Sequence, residues 1–465
     1  MRISTVKSVL SLLTVLLLCT SSAYSEAAES KYRVVDSIEI DKVPSWFPVG
    51  FCLLTHGDQQ YVAYYNEKHQ MIAAQRGLDE RTWQKAELPS KVGWDSHNYI
   101  TMCVDSRGDI HLAGNMHCVP LIYFRTQTPG DATTFQREAM TGKQENRCTY
   151  PRFLKDADGN LLFMYRNGGS GNGRRFYNAY NVEKKTWSKF LDGPLFDGDG
   201  KRNAYPIGPK KMKDGLFHVV WVWRDTPDCA TNHHLSYARS RDLKNWTTAG
   251  GKPVTLPLTL EQTELCIDPV PPKGGIINGC QRLAFDSKGR PMVSYHKLDE
   301  NGHMQIYVTR FEDGKWQGRA ITKWKKNVRF SGGGAMPFIG IRISGLTKHA
   351  PGVLAITYRH RDYGRGKVLV DEGTFQPLKS NAVDAGKQPE TLHGITTSEY
   401  PSGLLEPTID FEGIRVKLSG DSGRTKEPKV KYVLHWETLD ANRDRPRKPP
   451  LPPASTLKLL KLQRR

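Results

Sequence analysis

A single all-β domain, a seven-bladed β-propeller behind a signal peptide, is what this sequence predicts. Three observations carry that expectation. A turn followed by a strand-like run recurs seven times along the chain. Several of those runs lead into a polar turn that ends in Trp. Outside the N-terminal leader there is no sustained helical periodicity.

The elements follow in chain order. Arg2 and Lys7 precede an apolar run from Val9 to Leu18, and Ala23-Tyr24-Ser25 offers a small-x-small cleavage site. Residues 1–25 therefore read as a secretory signal peptide and 26–465 as the propeller. The run is shorter than the ~20 residues a membrane span needs, so no membrane insertion is expected. Leu18 before Cys19 argues against a lipoprotein site. The expected location is secreted or periplasmic.

The repeated turns are His56-Gly57-Asp58 before QQYVAYY, Asp105-Ser106-Arg107-Gly108 before DIHLAG, and Asp156-Ala157-Asp158-Gly159 before NLLFMYR. Lys213-Asp214-Gly215 precedes LFHVVWVW, Asp286-Ser287-Lys288-Gly289 precedes RPMVSYH, and Ala350-Pro351-Gly352 precedes VLAITYR. A degenerate copy, Glu427-Pro428-Lys429, precedes VKYVLHW. Such turns between β-rich runs are hairpin signals. Gly57, Gly108 and Gly159 are 51 residues apart in turn. A unit of about 40–50 residues with hairpins is the period of propeller blades. The Trp turns read GLDERTW, NVEKKTW, SRDLKNW and FEDGKW. Two tandem β-sandwiches would leave one period running throughout unexplained. Lys31–Ile40 and Ser455–Leu462 are the terminal strand candidates, one completing a blade built mainly from the other end. A short basic amphipathic tail is the rival reading of the C-terminus.

Composition narrows the function. The 465 residues carry Lys+Arg 67 against Asp+Glu 48, a net charge of +19. A surplus of that size calls for a polyanion. Export lowers the nucleic-acid reading, and no nucleic-acid partner is expected. An acidic polysaccharide is, acted on by a monomer. Without Cys19, seven cysteines remain, so at least one is free or bound to metal. Cys103 reads as core.

Chemistry-bearing residues cluster at equivalent blade edges. His97 and Asn98 lie just before one strand, and His117 just after the next. Tyr150 and Arg166 take the corresponding places one blade on, and Tyr205 and Arg224 one blade further. A lone His or Tyr at a strand end is usually structural, but three successive blades with titratable residues at both edges argue for a shared site. The set suits β-elimination from a uronic-acid glycan. Arg matches a carboxylate, His or Tyr accepts the C5 proton, and Tyr or His⁺ protonates the departing O4. With ordinary pKa values, His97 is the better base and Tyr150 the better acid, an order that reverses if the C5 proton lies on the opposite face. Hydrolysis would need two opposed carboxylates. None stands out, and Asp95 reads as orienting His97 or capping its loop.

His97 and His117 twenty apart, Tyr150 in TYPRF, Arg166 in MYRNGGSGNG and the run WRDTPDCATNHHLSYARSRDLKNW resemble the secreted seven-bladed ulvan lyases. These are polysaccharide lyase families twenty-four and twenty-five of the BNR-like repeat group. The resemblance covers nearly all the mature chain. It implies cleavage of a sulfated uronate glycan, proton transfer by His97 and Tyr150, and neutralisation of the uronate by Arg166. It implies supporting roles for His117, Tyr205 and Arg224. It also implies a structural zinc, for which His233, Cys266, Cys280 and His296 form a Cys2His2 set. His234 and Cys229 are alternative ligands, and a Cys266–Cys280 disulfide is the competing reading. A sialidase-like hydrolase and a non-catalytic glycan-binding propeller are the other functions in contention.

Overall fold

The computed structural model describes residues 30–378, 391–392, 395–396 and 400–465. The predicted signal peptide lies outside these residues. Among them the strands form seven antiparallel sheets of four to six strands, and a short pair, Thr391–Leu392 with Ile395–Thr396. The fold is the predicted all-β propeller. No helix of the described residues is long and apolar enough to cross a membrane.

Each repeated turn joins two consecutive, paired strands of one sheet. Gly57 links Cys52–His56 to Gln59–Tyr65, and Gly108 links Ile100–Val104 to Ile110–Gly114. Three of these turns are closed by their leading aspartate. Asp105, Asp156 and Asp286 each accept two backbone N–H bonds from residues two and four further on. That side-chain mimicry of a backbone turn is why Asp recurs there. Gly108 and Gly159 follow with φ of 87° and 89°, a region L side chains rarely enter. The Trp turns sit one hairpin later, between third and fourth strands, and Trp187 and Trp246 are buried there.

The last sheet contains both chain ends. Tyr32–Val43 pairs with Ser455–Arg464, which pairs with Val430–Thr438 and so with Arg415–Gly420. Both terminal strand candidates therefore belong to one blade. The first and last sheets also meet at the Leu53–Asp421 bridge, where the Ser422 N–H donates to Leu53 O at 2.9 Å. Sealing the chain ends this way leaves few unpaired edges. The apolar core lies between sheets. Val62, Leu112, Leu162, Val219, Ile306 and Ile356, one on the second strand or third strand of each sheet they occupy, are fully shielded from solvent.

Candidate active site

The register places the predicted residues on one edge. Thr149 pairs with Arg166, Asn203 with Arg224, and Ile100 with Gly114. The start of each first strand thus lies beside the end of its second strand. His117 opens a short strand, His117–Val119, that pairs with Cys148–Lys155 of the next sheet. It therefore stands between the second and third sheets.

Four rings follow one another along this edge. His97 and His117 are 4.4 Å apart between centroids, His97 and Tyr150 5.9 Å, and Tyr150 and Tyr205 6.3 Å. Tyr150 has a φ of 59°, in the left-handed region, beside an irregularity between Thr149 and Arg152. A bulky side chain there is strained, and such strain persists only where surrounding structure imposes it. Asn98 holds the preceding loop through its carbonyl, which accepts from the Tyr65 hydroxyl at 2.7 Å.

The histidine end is surrounded by carboxylates. Asp95 Oδ1 accepts from the His97 backbone N–H and meets His97 Nδ1, each at 2.8 Å, while Asp95 Oδ2 meets His117 Nδ1. Asp444 approaches from the last sheet. Its Oδ2 lies 3.1 Å from His97 Nδ1, and its Oδ1 accepts from the Ser96 N–H and hydroxyl. Oδ2 also accepts from Ala335 N at 2.6 Å, so Asp444 ties together three distant segments. Burial disfavours charge on His97, but Asp444 and Asp95 outweigh it and raise its pKa to about 9. The same contacts hold both carboxyls below the usual range, against the effect of their burial. These contacts favour the imidazolium form of His97 at neutral pH. Through their Nδ1 contacts both rings turn Nε2 away from the carboxylates.

The tyrosine end is surrounded by guanidiniums. Arg166 lies 4.9 Å and Arg175 5.8 Å from the Tyr150 ring, and Arg224 lies 5.5 Å from the Tyr205 ring. Arg166 and Arg175 face each other across neighbouring strands. Like charges in that position are destabilising, so the pair is better explained by use than by stability. Arg166 is 1% exposed, and its Nε and NH1 have no acceptor, nor has Arg175 Nε. Arg166 NH2 donates to Thr149 Oγ1 at 3.1 Å. Arg224 is committed to the carbonyls of Thr226 and Pro227. Burial raises the Tyr150 pKa, with the Tyr205 phenol adding to it, and Arg166 and Arg175 only partly offset this. Burial also raises Tyr205, but there Arg166 and Arg224 prevail and bring its pKa below the ordinary phenol value.

The predicted metal ligands do not converge. His233 contacts Asp225 at 2.9 Å and His234 at 2.7 Å. Cys266 sits in a short edge strand opposite Ser236, its thiol raised to about 11 by burial. Only Cys280 and His296 meet, and there the imidazole outweighs burial and lowers the thiol pKa. Cys266 and Cys280 are free thiols. His233 and Cys266 lie on paired strands of one sheet, Cys280 in a loop and His296 on the next sheet, and as placed their ligand atoms do not gather around a single zinc. Among the described residues, the one group of three His, Cys or acidic ligand atoms close enough to hold an ion is Asp95, His97 and His117.

Two charged residues of the site were missed by the sequence reading. Arg175 had a local signal, since strand pairing puts it opposite Arg166. Asp444 had none, because it lies in an irregular loop 347 residues from His97 in the sequence.

Known proteins give the arrangement a context. An ulvan lyase, short isoform, from Alteromonas sp. (strain LOR) is 28% identical over 141 residues, 27% of this chain and 27% of that protein. A long-isoform ulvan lyase from Glaciecola sp. (strain KUL10) is 50% identical over 70 residues, 14% of this chain and 7% of that protein. The aligned segments thus span about a quarter or less of these relatives. The crystal structure of the polysaccharide lyase Uly1 superposes with a TM-score of 0.58 at 15% identity, covering 93% of this chain and 99% of that one. A PL25 ulvan lyase bound to -[GlcA(1-4)Rha3S]- superposes at 0.54 and 13% identity, covering 87% of this chain and 97% of that one. Residues 59–324 match the description of a BNR repeat-containing family member, and with that match running over more than half its length the chain belongs to this family.

Proposed function

We propose that the protein is a polysaccharide lyase that cleaves a sulfated, uronate-containing glycan of the ulvan type by β-elimination. The observation that carries this reading is the His97–Tyr150 pair, 5.9 Å between rings, with carboxylates behind the imidazole and guanidiniums behind the phenol. The short local similarity to ulvan lyases and the shared fold support it.

The charges indicate the direction of proton flow. Elimination needs the C5 proton removed, the carboxylate neutralised and O4 protonated on leaving. His97, held as an imidazolium by Asp95 and Asp444, is the donor to O4. The Tyr150–Tyr205 pair, with three guanidiniums beside it, is the acceptor of the C5 proton. Burial holds Tyr150 protonated on its own, while Arg166 and Arg224 favour the phenolate at Tyr205, which draws the proton of the pair. Tyr150, the more exposed of the two, faces the sugar. The unfilled nitrogens of Arg166 supply the positive charge that offsets the uronate carboxylate, from beneath Tyr150 rather than from the surface. His117 shares Asp95 with His97 and positions it. Export of the mature chain, as its leader suggests, would bring it to such a substrate.

The test is product analysis on a panel of uronate polysaccharides. Elimination leaves a 4,5-unsaturated uronate that absorbs in the ultraviolet. The expected result is growth of that absorbance on a sulfated glucuronate–rhamnose polymer. Release of saturated sugars, or no cleavage of any uronate polymer, would overturn the reading.

A further inference from the structure

Residues 321–340 run from the outer strand Lys315–Ala320 of the fifth sheet to the inner strand Ile341–Ile343 of the sixth. They cross the face where first strands begin, which is the face of the candidate active site. The stretch contains no strand or helix. A connection of that length without secondary structure is uncommon in a compact domain, and is either functional or disordered. This one is fixed along its length. The Ile321 N–H donates to Ile306 O at 2.8 Å, the Trp324 N–H donates to Gln305 Oε1 at 3.0 Å, and the Trp324 ring is buried. The Lys325 N–H donates to the Tyr363 hydroxyl at 2.7 Å, and Asn327 O accepts from Arg361 at 2.9 Å. Near its far end the Gly332 N–H donates to Asp228 Oδ1 at 2.7 Å. The Ala335 N–H then donates to Asp444, the carboxylate that meets His97.

The pinned backbone carries a row of cations. Arg319, Lys323, Lys325, Lys326 and Arg329 are all exposed. Among the described residues none of the five has an ion-pair partner. Between Asp313 and Asp362 the sequence has ten Lys or Arg and no Asp or Glu. Acids on neighbouring segments are engaged elsewhere. Asp299 accepts from the N–H groups of Asn301 and His303 and from Gln305 Nε2. Asp362 faces Arg361 at 3.3 Å, and Asp228 accepts from the N–H groups of Ala230 and Gly332. Arg443, beside Asp444, donates to Ser331 O at 3.1 Å, so the row meets a further cation where it reaches the site. A fixed row of one sign concentrates counter-ions. Five cations exceed the charge of any one sugar, so the occupant that matches them is a chain of repeated anions.

We propose that this row is an exosite, which holds one stretch of a sulfated polysaccharide outside the active site while a uronate of the same chain is cleaved. The exosite deepens the lyase reading and rests on it for the identity of the polymer. It lies off the His97–Tyr150 edge and touches no reacting group. A chain long enough to reach both places binds the second with a high effective concentration. A short oligosaccharide reaches only the active site and gains nothing. The contacts are exposed and ionic, so they respond to charge density along the polymer and weaken with salt.

The experiment compares two variants of the full chain that lose the same charge. One carries Lys323→Gln, Lys325→Gln, Lys326→Gln and Arg329→Gln. The other carries Lys155→Gln, Lys184→Gln, Lys213→Gln and Lys288→Gln, at exposed positions on the opposite face of the propeller. Each is assayed on a long glucuronate–rhamnose 3-sulfate polymer and on its tetrasaccharide. Binding of uncleaved polymer is measured with Tyr150→Phe added to each. An exposed ionic contact is worth about twofold, so the first variant should raise the polymer KM and Kd roughly tenfold. Its kcat and its tetrasaccharide kinetics should match the parent, and the second variant should change little. Equal losses in the two variants would reduce the row to net charge and overturn the exosite. Equal losses on polymer and tetrasaccharide would overturn it too. So would a loss of affinity confined to double-stranded DNA, which would assign the row to a nucleic acid. Row-dependent polymer binding without elimination by the parent would sink the lyase reading and leave the exosite standing. Elimination with a polymer KM indifferent to the row would do the reverse.

Discussion

The two ends of the candidate active site have opposite surroundings. At the histidine end, Asp95 and Asp444 converge on His97 and hold a proton there. At the tyrosine end, Arg166, Arg175 and Arg224 converge on two phenols, and two of these arginines leave buried nitrogens without acceptors. The field changes sign across the 5.9 Å between His97 and Tyr150. His97 is pushed towards its protonated form and Tyr205 towards its phenolate, and groups whose surroundings push their protonation apart are what acid–base catalysis requires. The difference also separates structure from use. The histidine end is satisfied as it stands, whereas the guanidiniums lack a negative partner that a uronate would bring.

The largest effects should come from removing either member of the central pair. Tyr150→Phe and His97→Ala should each lower turnover by ~10²–10⁴-fold, the usual worth of a general acid or base, with the circular dichroism spectrum unchanged. Near-full elimination activity in both variants would place the chemistry elsewhere.

The cationic end is tested by Arg175→Met. Loss of one guanidinium beside the phenols should reduce kcat roughly tenfold, the worth of about one pKa unit. Because Arg175 faces Arg166 across the sheet, the same variant should melt no lower than the parent and gain up to about 1 kcal/mol. A large destabilisation with kcat intact would make Arg175 a purely structural residue.

The anionic end is tested by Asp444→Asn. Removing one of two carboxylates should lower the His97 pKa by roughly one to three units. The alkaline limb of kcat/KM, set by loss of the His97 proton near pH 9, should move down accordingly. A merely structural Asp444 would change the amplitude of the profile and leave its limb in place. Stability offers a separate reading of the same group. His97 binds its proton more tightly folded than unfolded, so its contribution is complete below about 6.5 and is lost as pH rises through about 9. In Asp444→Asn that loss should begin at lower pH in thermal melts.

The smallest expected effect concerns the surface as a whole. With a net charge of +19, glycan affinity should fall several-fold as salt rises from low to physiological strength, where screening reaches ~8 Å. Contacts buried around Tyr150 should feel this less than exposed ones. Affinity that ignored salt would assign binding to those buried contacts alone.

The sequence by itself determined the architecture and one row of the site. Asp and Gly at a regular period specify local turns, and a turn needs only its own residues to form. Once each turn is known to join two consecutive paired strands, alternation and strand length place His97, Tyr150, Arg166, Tyr205 and Arg224 on one edge. The tertiary structure decided what surrounds them. Asp444 reaches His97 only because the ring closes, and that contact turns an ordinary histidine into a held cation. Burial of Arg166 beneath Tyr150 likewise depends on packing that the sequence does not show. Spacing along a chain does not fix distance across a sheet-to-sheet interface. Protonation depends on that distance, because it follows from the charges and solvent that folding brings to each group.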